Sequence, residues 1–76
     1  MVFEKVRSII AQQLEIPEER IEAASRLNED LDADSVEVVG IIMNLEAEFG
    51  MEFPYENLDA IKTVGDAVAY IESRVQ

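Results

Sequence analysis

Apolar residues near the amino terminus recur at the spacing of an α-helix. The stripe consists of Phe3, Val6, Ile10 and Leu14, with Val2 and Ile9 beside it. Spacings of three and four positions are typical of an amphipathic helix packed on a core. We expect this first helix to end at Pro17, because the residue before a proline disfavours the α conformation.

Residues 17–34 show no sustained periodicity and predict a long loop after the first helix. Three isolated apolar residues within it, Ile21, Leu27 and Leu31, are expected to anchor the loop to the core. Pro17, followed by two glutamates, can open one short helical turn, since proline is favoured at the first helical position.

A second long helix is predicted to begin near Ser35. Asp34 is a good N-cap, Glu37 completes a capping-box pattern, and Gly50 supplies a C-terminal stop. At about 100° per residue the helix sorts into three faces. These are a core stripe of Val38, Ile42, Leu45 and Phe49, a polar stripe of Glu37, Asn44 and Glu48, and a third stripe, directed away from the core, of Val36, Gly40, Met43 and Ala47.

The remaining chain predicts one short and one long helix. Pro54 interrupts the chain, and residues 55–60 can form at most a short helix or turn. Thr63 precedes a last helix, with Asp66 in the capping-box position. Its predicted inner face comprises Val64, Ala67 or Val68, Ile71 and Val75.

The elements together predict an all-α fold. No segment alternates with period two for long enough to form a strand. The expected architecture is a small four-helix bundle, with three main helices, one short helix and a long loop after the first helix. With 76 residues, the chain is expected to form one domain over residues 1–76.

Charge is distributed unevenly along this pattern. The chain carries 17 acidic and 6 basic residues, a net charge of −11, and residues 27–59 hold ten acids without a lysine or arginine. Such a block destabilises its own fold by repulsion. We therefore interpret it as a surface for a basic protein partner. Nucleic acid is excluded as an ordinary partner, because phosphate binding needs clustered basic residues.

Missing residue types exclude several kinds of chemistry. The chain has no cysteine and no histidine, which excludes a thiol nucleophile, a Ser-His-Asp triad and most zinc sites. The spacing of Asp30, Asp32 and Asp34 is similar to the start of a calcium-binding loop. The glycine and the bidentate glutamate that such a loop requires are absent, so we predict no metal site. No apolar run is long enough to span a membrane, and the first residues lack a signal-peptide pattern, so we expect a cytoplasmic protein.

The position of Ser35 has two interpretations, an ordinary helix residue and a functional one. A serine in the first turn of a helix is common and needs no special role. A phosphodiester on its hydroxyl would nevertheless lie beside free backbone N–H groups and the positive end of the helix dipole. Asp34 and Glu37 would repel that phosphate, so electrostatics alone do not decide between the two interpretations.

The segment around Ser35 resembles a known family signature. Asp34-Ser35-Val36, preceded by Leu31-Asp32-Ala33, resembles the Asp-Ser-Leu signature of acyl carrier proteins, with valine in place of leucine. The likeness continues through Met43, Leu45-Glu46-Ala47-Glu48-Phe49, Phe53-Pro54, Ile61, Thr63-Val64, Ala67 and Tyr70-Ile71.

The resemblance implies a cofactor and a function. Ser35 would carry 4′-phosphopantetheine, added from coenzyme A by a phosphopantetheinyl transferase that uses magnesium, with Asp34 flanking the attachment site. The chain would be a monomeric carrier rather than an enzyme, and would hold acyl intermediates as thioesters in fatty acid biosynthesis or a related pathway. Its partners would be acyl-chain-processing enzymes with basic patches. The resemblance implies that five residues lie near the arm or contact partners: Val36, Met43, Phe53, Ile61 and Ala67. Glu37 and Glu46 are expected to be further partner contacts.

Two alternatives remain open at this point. Gly40 and Ala47 stand where relatives of the fatty-acid type commonly have acids. This difference favours a specialised carrier for polyketide, lipid-modifying or aminoacyl chemistry. From a different class of protein, an unmodified acidic helical adaptor that recruits a basic protein would have the same composition.

Overall fold

The computed structural model describes residues 1–54, 58 and 60–75. In that part of the chain the structure is all-α, as predicted. It contains α1 (Val2–Leu14), a short 3₁₀ turn (Glu18–Arg20), α2 (Ser35–Phe49) and α3 (Val64–Val75), and no β-strand. Most of the segment over which the sequence predicts a short helix, residues 55–57 and 59, lies outside the described residues.

Helix α1 packs on the core through the predicted stripe but ends earlier than Pro17 requires. Val6 and Ile10 are buried, together with Ala11, which the stripe did not include. The helix stops at Leu14 because Glu15 takes a left-handed conformation with φ 58°. The Ile16 N–H then donates to the Ala11 carbonyl at 3.1 Å, which satisfies a carbonyl at the helix end.

The long loop is held against the core, as its three apolar residues predict. Ile21, Leu27 and Leu31 are all buried. The loop is also tied to the start of α3, because the Leu27 N–H donates to the Lys62 carbonyl at 2.9 Å. A second backbone bond joins the Val64 N–H to the Ser25 carbonyl at 3.0 Å. These bonds bring the start of α3 beside the loop that leads into α2.

The faces of α2 differ from the prediction in two respects. Ile42 and Leu45 are buried as expected, but Ile41 is buried as well, so the apolar face is wider than one stripe. Gly40 does not point into open solvent: a Cβ built on it would lie 2.9 Å from Nε2 of Gln13 in α1. Glycine at this position therefore allows the Gln13 side chain to lie against α2.

Helix α3 begins at the predicted capping box and buries three apolar side chains. Val64, Ala67 and Ile71 are in the core, whereas Val75, assigned to the inner face by the sequence, is exposed. Its position in the last turn of the helix carries it past the end of the core. The Asp66 N–H donates to Thr63 Oγ1 at 3.0 Å, and the Thr63 N–H donates back to Asp66 Oδ2 at 3.1 Å.

The Asp66 cap predicts an acid-sensitive contribution to stability. Backbone N–H bonds, first from Lys62 and then from Thr63, lower the pKa of Asp66 below its ordinary value. The stabilisation is therefore present above the unfolded pKa of about 3.9 and is lost as the pH falls through the lower folded value. We expect Asp66→Asn to be less stable at pH 7 by about 0.3–1 kcal/mol, because it keeps an oxygen acceptor but removes the negative charge near the start of α3.

Thermal melts of the wild type and Asp66→Asn between neutral and strongly acidic pH check this prediction. The difference between their melting midpoints should shrink as the pH drops below about 4. A difference that stays constant over the whole range would contradict the assignment to the Asp66 carboxylate.

Candidate functional site

Ser35 is the first residue of α2 and is exposed to solvent. The helix begins there because Asp34 precedes it in an extended conformation and its Oδ1 accepts from the Glu37 N–H at 2.8 Å. Glu37 completes the capping box, since its Oε1 accepts from the Asp34 N–H at 3.1 Å. The box thus fixes both the start of α2 and the place of the serine hydroxyl.

The first turn of α2 leaves backbone donors open beside that hydroxyl. The first four N–H groups of an α-helix have no acceptor within the helix. The capping box occupies Glu37, and the Val38 N–H donates to the Asp34 carbonyl at 2.9 Å. Among the residues that the structure describes, the N–H groups of Ser35 and Val36 have no acceptor. An anion on Ser35 would meet these donors and the positive end of the helix dipole.

The two carboxylates nearest Ser35 both serve the helix start. Asp34 and Glu37 were expected to repel a phosphate, yet each accepts a backbone N–H in the capping box. Part of their negative charge is therefore compensated by donors that would otherwise be unsatisfied. Their presence beside Ser35 is explained by the fold, and it leaves the serine oxygen open on the other side.

An open groove lies beside Ser35, between the first turn of α2, the long loop and the approach to α3. Its volume is about 810 Å³. The apolar lining residues are Val38, Val39, Leu58 and Ile61, and the polar ones besides Ser35 are Arg26, Asn28, Glu29, Lys62, Thr63 and Asp66. The groove therefore offers both apolar side chains and polar groups beside the serine.

Arg26 compensates part of the acidic block. Its side chain donates to Asp30 through Nε at 3.2 Å and to Glu29 through Nη1 at 3.2 Å. The side-chain bond from Arg26, followed by a bond from its backbone N–H, lowers the pKa of Asp30. Between α1 and α2, Lys5 Nζ lies 3.2 Å from Glu48 Oε2. The ten acids are thus less isolated than their sequence positions indicate.

The aspartates that imitate a calcium loop are used separately. Asp30 binds Arg26, Asp34 caps α2, and Asp32 takes a left-handed backbone conformation with φ 59°. Within the described ranges no group of three acidic side chains is arranged to hold a metal ion. Asp30 and Asp34 therefore each have a structural role within the fold.

Comparison with known proteins supplies the family. A family model described as a phosphopantetheine attachment site matches residues 4–71. An acyl carrier protein of Lactobacillus acidophilus is 44% identical over 95% of this chain and 90% of its own length. One from Clostridium acetobutylicum is 46% identical over 100% of this chain and 99% of its own. The chain belongs to the acyl carrier protein family.

Solved structures agree with this assignment. A solution structure assigned as an acyl carrier protein from Anaplasma phagocytophilum matches with a TM-score of 0.88 at 27% identity, over 99% of this chain and 89% of that one. An acyl carrier protein of high thermal stability from Enterococcus faecalis matches with a TM-score of 0.78 at 39% identity, over 95% of this chain and 91% of that one. The helical architecture is therefore that of the family.

The site suits the prosthetic group of acyl carrier proteins, a covalently attached 4′-phosphopantetheine. A phosphodiester needs an exposed hydroxyl and nearby donors, and the first turn of α2 supplies both at Ser35. The extended arm needs space beside that hydroxyl, which the groove provides. None of the helices in the described part of this carrier has the length and apolar content to cross a bilayer.

The expected partner-contact residues divide into two groups. Val36 and Met43 are 81% and 57% exposed and lie on the outer face of α2. Glu37 and Glu46 are half-buried; Glu37 belongs to the capping box, and Glu46 Oε2 accepts the Phe53 N–H at 2.7 Å. Only the first group presents apolar side chain freely to another protein.

Phe53 and Ile61 are expected near the arm or a partner, and both side chains are buried. Phe53 is 3% exposed, and its ring packs against Tyr70 with centroids 4.9 Å apart, so it presents little surface to a partner protein. Ile61 is 8% exposed and forms part of the groove wall beside Ser35. It can contact an arm, but it presents little surface to a partner protein.

Several residues of the groove were missed by the sequence analysis. Val39, Asn28 and Lys62 line it, and none belongs to the motif that identified Ser35. Asn28 has a structural role there, since its side-chain amide donates to the Ala33 carbonyl at 2.6 Å. For Arg26 a local signal existed, because Glu29 and Asp30 follow at three and four positions, a spacing typical of ion pairs.

Proposed function

We propose that Ser35 is the residue to which 4′-phosphopantetheine is attached. The observation that supports this most strongly is the position of Ser35. Its exposed hydroxyl lies at the first residue of a capped helix, with open backbone donors beside it. Asp34 supports this role by fixing the helix start through its bond to Glu37. The family signature around Asp34-Ser35-Val36 lies at the same point of the chain.

Loading requires the Ser35 oxygen to act as a nucleophile towards coenzyme A on a transferase. A bond forms between that oxygen and phosphorus, adenosine 3′,5′-bisphosphate leaves, and the serine proton passes to the transferase. The attached group supplies a terminal thiol on which acyl groups are held as thioesters. This explains how a chain without cysteine takes part in thioester chemistry.

The groove beside Ser35 is suited to shield an attached chain from water. Val38, Val39, Leu58 and Ile61 give it an apolar wall. Burial of apolar acyl surface against such a wall is favourable, by about 25 cal/mol for each Å² removed from water. The open form of the groove also allows the chain to leave when a partner enzyme competes for it.

Partner enzymes are proposed to dock on the outer face of α2. Val36 and Met43 offer exposed apolar side chains, and acidic residues of the 27–59 block surround them in the sequence. Basic patches on acyl-processing enzymes and on the phosphopantetheinyl transferase would complement that charge and speed encounter. In this role the chain itself is a monomeric carrier and performs no catalysis.

The pathway proposed is fatty acid biosynthesis, with a specialised pathway as the alternative. Ala47 favours the alternative, since it is exposed on the outer face of α2 where an acid is common in fatty-acid carriers. Gly40 carries less weight, because it lies against Gln13 of α1. The cytoplasmic location and the extent of the domain over residues 1–76 stay predictions.

Intact mass after coexpression with a phosphopantetheinyl transferase tests the proposed function. We expect the protein to gain the mass of one phosphopantetheine, and the same chain expressed without the transferase to lack it. An acidic adaptor would gain nothing under either condition. An unchanged mass with an active transferase, proven on a known carrier in the same cells, would overturn the proposal.

A further inference from the structure

Two cations, Arg26 and Lys62, line the groove beside Ser35. They differ in whether carboxylates already pair with their side chains. Arg26 forms ion pairs with Glu29 and Asp30, and its Nη2 donates a further hydrogen bond to Asp30 at 3.3 Å. Its guanidinium is therefore held by two carboxylates and has little capacity left for another anion.

The backbone of Lys62 is held by hydrogen bonds, whereas its side chain forms no ion pair in the described part of the chain. Its N–H donates to Asp66 Oδ2 at 3.0 Å, and its carbonyl accepts from the Leu27 N–H at 2.9 Å. These two bonds hold the residue at the groove wall. Its ammonium group lies within ion-pair distance of no carboxylate in the described part of the chain.

The carboxylates that share the groove with Lys62 are both engaged elsewhere. Glu29 pairs with Arg26, and Asp66 Oδ2 accepts the N–H groups of Lys62 and Thr63. The charge of Lys62 is the last and smallest of the causes that lower the pKa of Asp66. The ammonium group therefore has no ion pair among the described residues, in a chain whose net charge is −11.

We propose that Lys62 is a positioning residue that pairs with the phosphodiester on Ser35. The proposal rests on the proposed function, since it requires the prosthetic group at that serine. Ser35 and Lys62 both line one groove, and a phosphodiester on Ser35 would place an anion beside that groove. The open N–H groups of α2 contact the anion from the helix side, and Lys62 contacts it from the α3 side.

The pairing would restrain the root of the arm and offset repulsion from the surrounding acids. Because Lys62 is exposed, the interaction is screened by salt. The Debye length falls from about 30 Å at 0.01 M to about 10 Å at 0.1 M ionic strength. The restraint is thus strongest in dilute buffer and weakens over that range.

Phosphorus-31 NMR of the loaded protein tests the proposal, because the phosphodiester is its single phosphorus. In the wild type we expect the resonance to shift between about 0.01 M and about 0.1 M sodium chloride. In Lys62→Gln the resonance should be displaced in dilute buffer and lose most of this salt dependence. Lys62→Arg should restore the wild-type behaviour, because it keeps the positive charge.

Lys5→Gln is the matched control, since Lys5 is an exposed lysine paired with Glu48 outside the groove. It removes the same charge and should leave the phosphorus spectrum as in the wild type. Identical spectra for Lys62→Gln and the wild type would overturn the proposal, as would equal shifts in both lysine variants. A change seen only when the arm carries a malonyl group would place Lys62 against the cargo carboxylate, and would also overturn it.

The mass of each sample keeps this test separate from that of the proposed function. If the wild type gains no phosphopantetheine, the proposed function fails and no phosphorus signal exists. If all variants load fully and their spectra coincide, only the role of Lys62 fails. Circular dichroism of each variant excludes unfolding as the source of a spectral change.

Discussion

Ser35→Ala is expected to abolish loading from coenzyme A completely while leaving the fold intact. Alanine has no oxygen to bond to phosphorus, so the loss should be total. Stability should stay within about 0.5 kcal/mol of the wild type, because the caps of α2 are supplied by Asp34 and Glu37 rather than by Ser35. Intact mass after incubation with coenzyme A and transferase measures loading, and circular dichroism measures helical content.

The other serines provide controls for this prediction. Ser8 is exposed on α1, whereas the Ser25 hydroxyl accepts the Glu22 N–H at 2.9 Å and Ser73 Oγ donates to the Tyr70 carbonyl at 2.7 Å. None of the three begins a helix, so each alanine variant should load like the wild type. Loading of Ser35→Ala, or loss of loading on changing another serine, would show that the attachment residue is wrong.

The starts of α2 and α3 could be predicted because their signals are local. Asp34 with Glu37, and Thr63 with Asp66, are each three residues apart, and each pair forms its reciprocal bonds within that short stretch. A capping box depends on neighbours in the sequence, so the sequence states it directly. The position of Ser35 at the head of α2 follows from the first of these boxes.

The burial of particular side chains on α2 and beyond it could not be read in the same way. Ile41 is buried and Phe53 packs on Tyr70 because of contacts between distant segments. A helical wheel assigns one core stripe, whereas in this small domain α2 buries neighbouring stripes too. The family resemblance associated Phe53 with the arm or a partner. A resemblance in sequence does not show whether the side chain is also buried in the core.

Local sequence patterns could not predict the groove beside Ser35 either. Lys62 is 27 positions from Ser35 in the sequence and joins the site only because backbone bonds tie the loop to the approach to α3. Leu27, isolated in an aperiodic loop, could be predicted as an anchor, but its bond to the Lys62 carbonyl could not. The motif therefore singled out Ser35 as the candidate attachment residue, whereas most of the residues around it were found only in the structure.

Leu45→Ala and Met43→Ala are expected to separate the two faces of α2 by their opposite effects. Leu45 is fully buried, and its truncation should cost about 2–5 kcal/mol through lost burial and a cavity. For a domain whose whole stability is of the order of 5–15 kcal/mol, that is a large share. Met43 is exposed, and alanine is a good helix former, so its truncation should cost well under 1 kcal/mol.

The order of the two variants should reverse when kcat/KM with a partner enzyme is measured, with the larger loss in Met43→Ala. If Met43 anchors docking, its removal at an interface costs more than 1 kcal/mol of binding, and a loss of about 1.4 kcal/mol lowers kcat/KM roughly tenfold. Urea unfolding of the unloaded proteins gives the stabilities, and transferase kinetics at low salt give kcat/KM for each. A large loss of stability in Met43→Ala would show that the faces of α2 are assigned wrongly. Wild-type kcat/KM in Met43→Ala, with its fold intact, would instead remove this side chain from the docking surface.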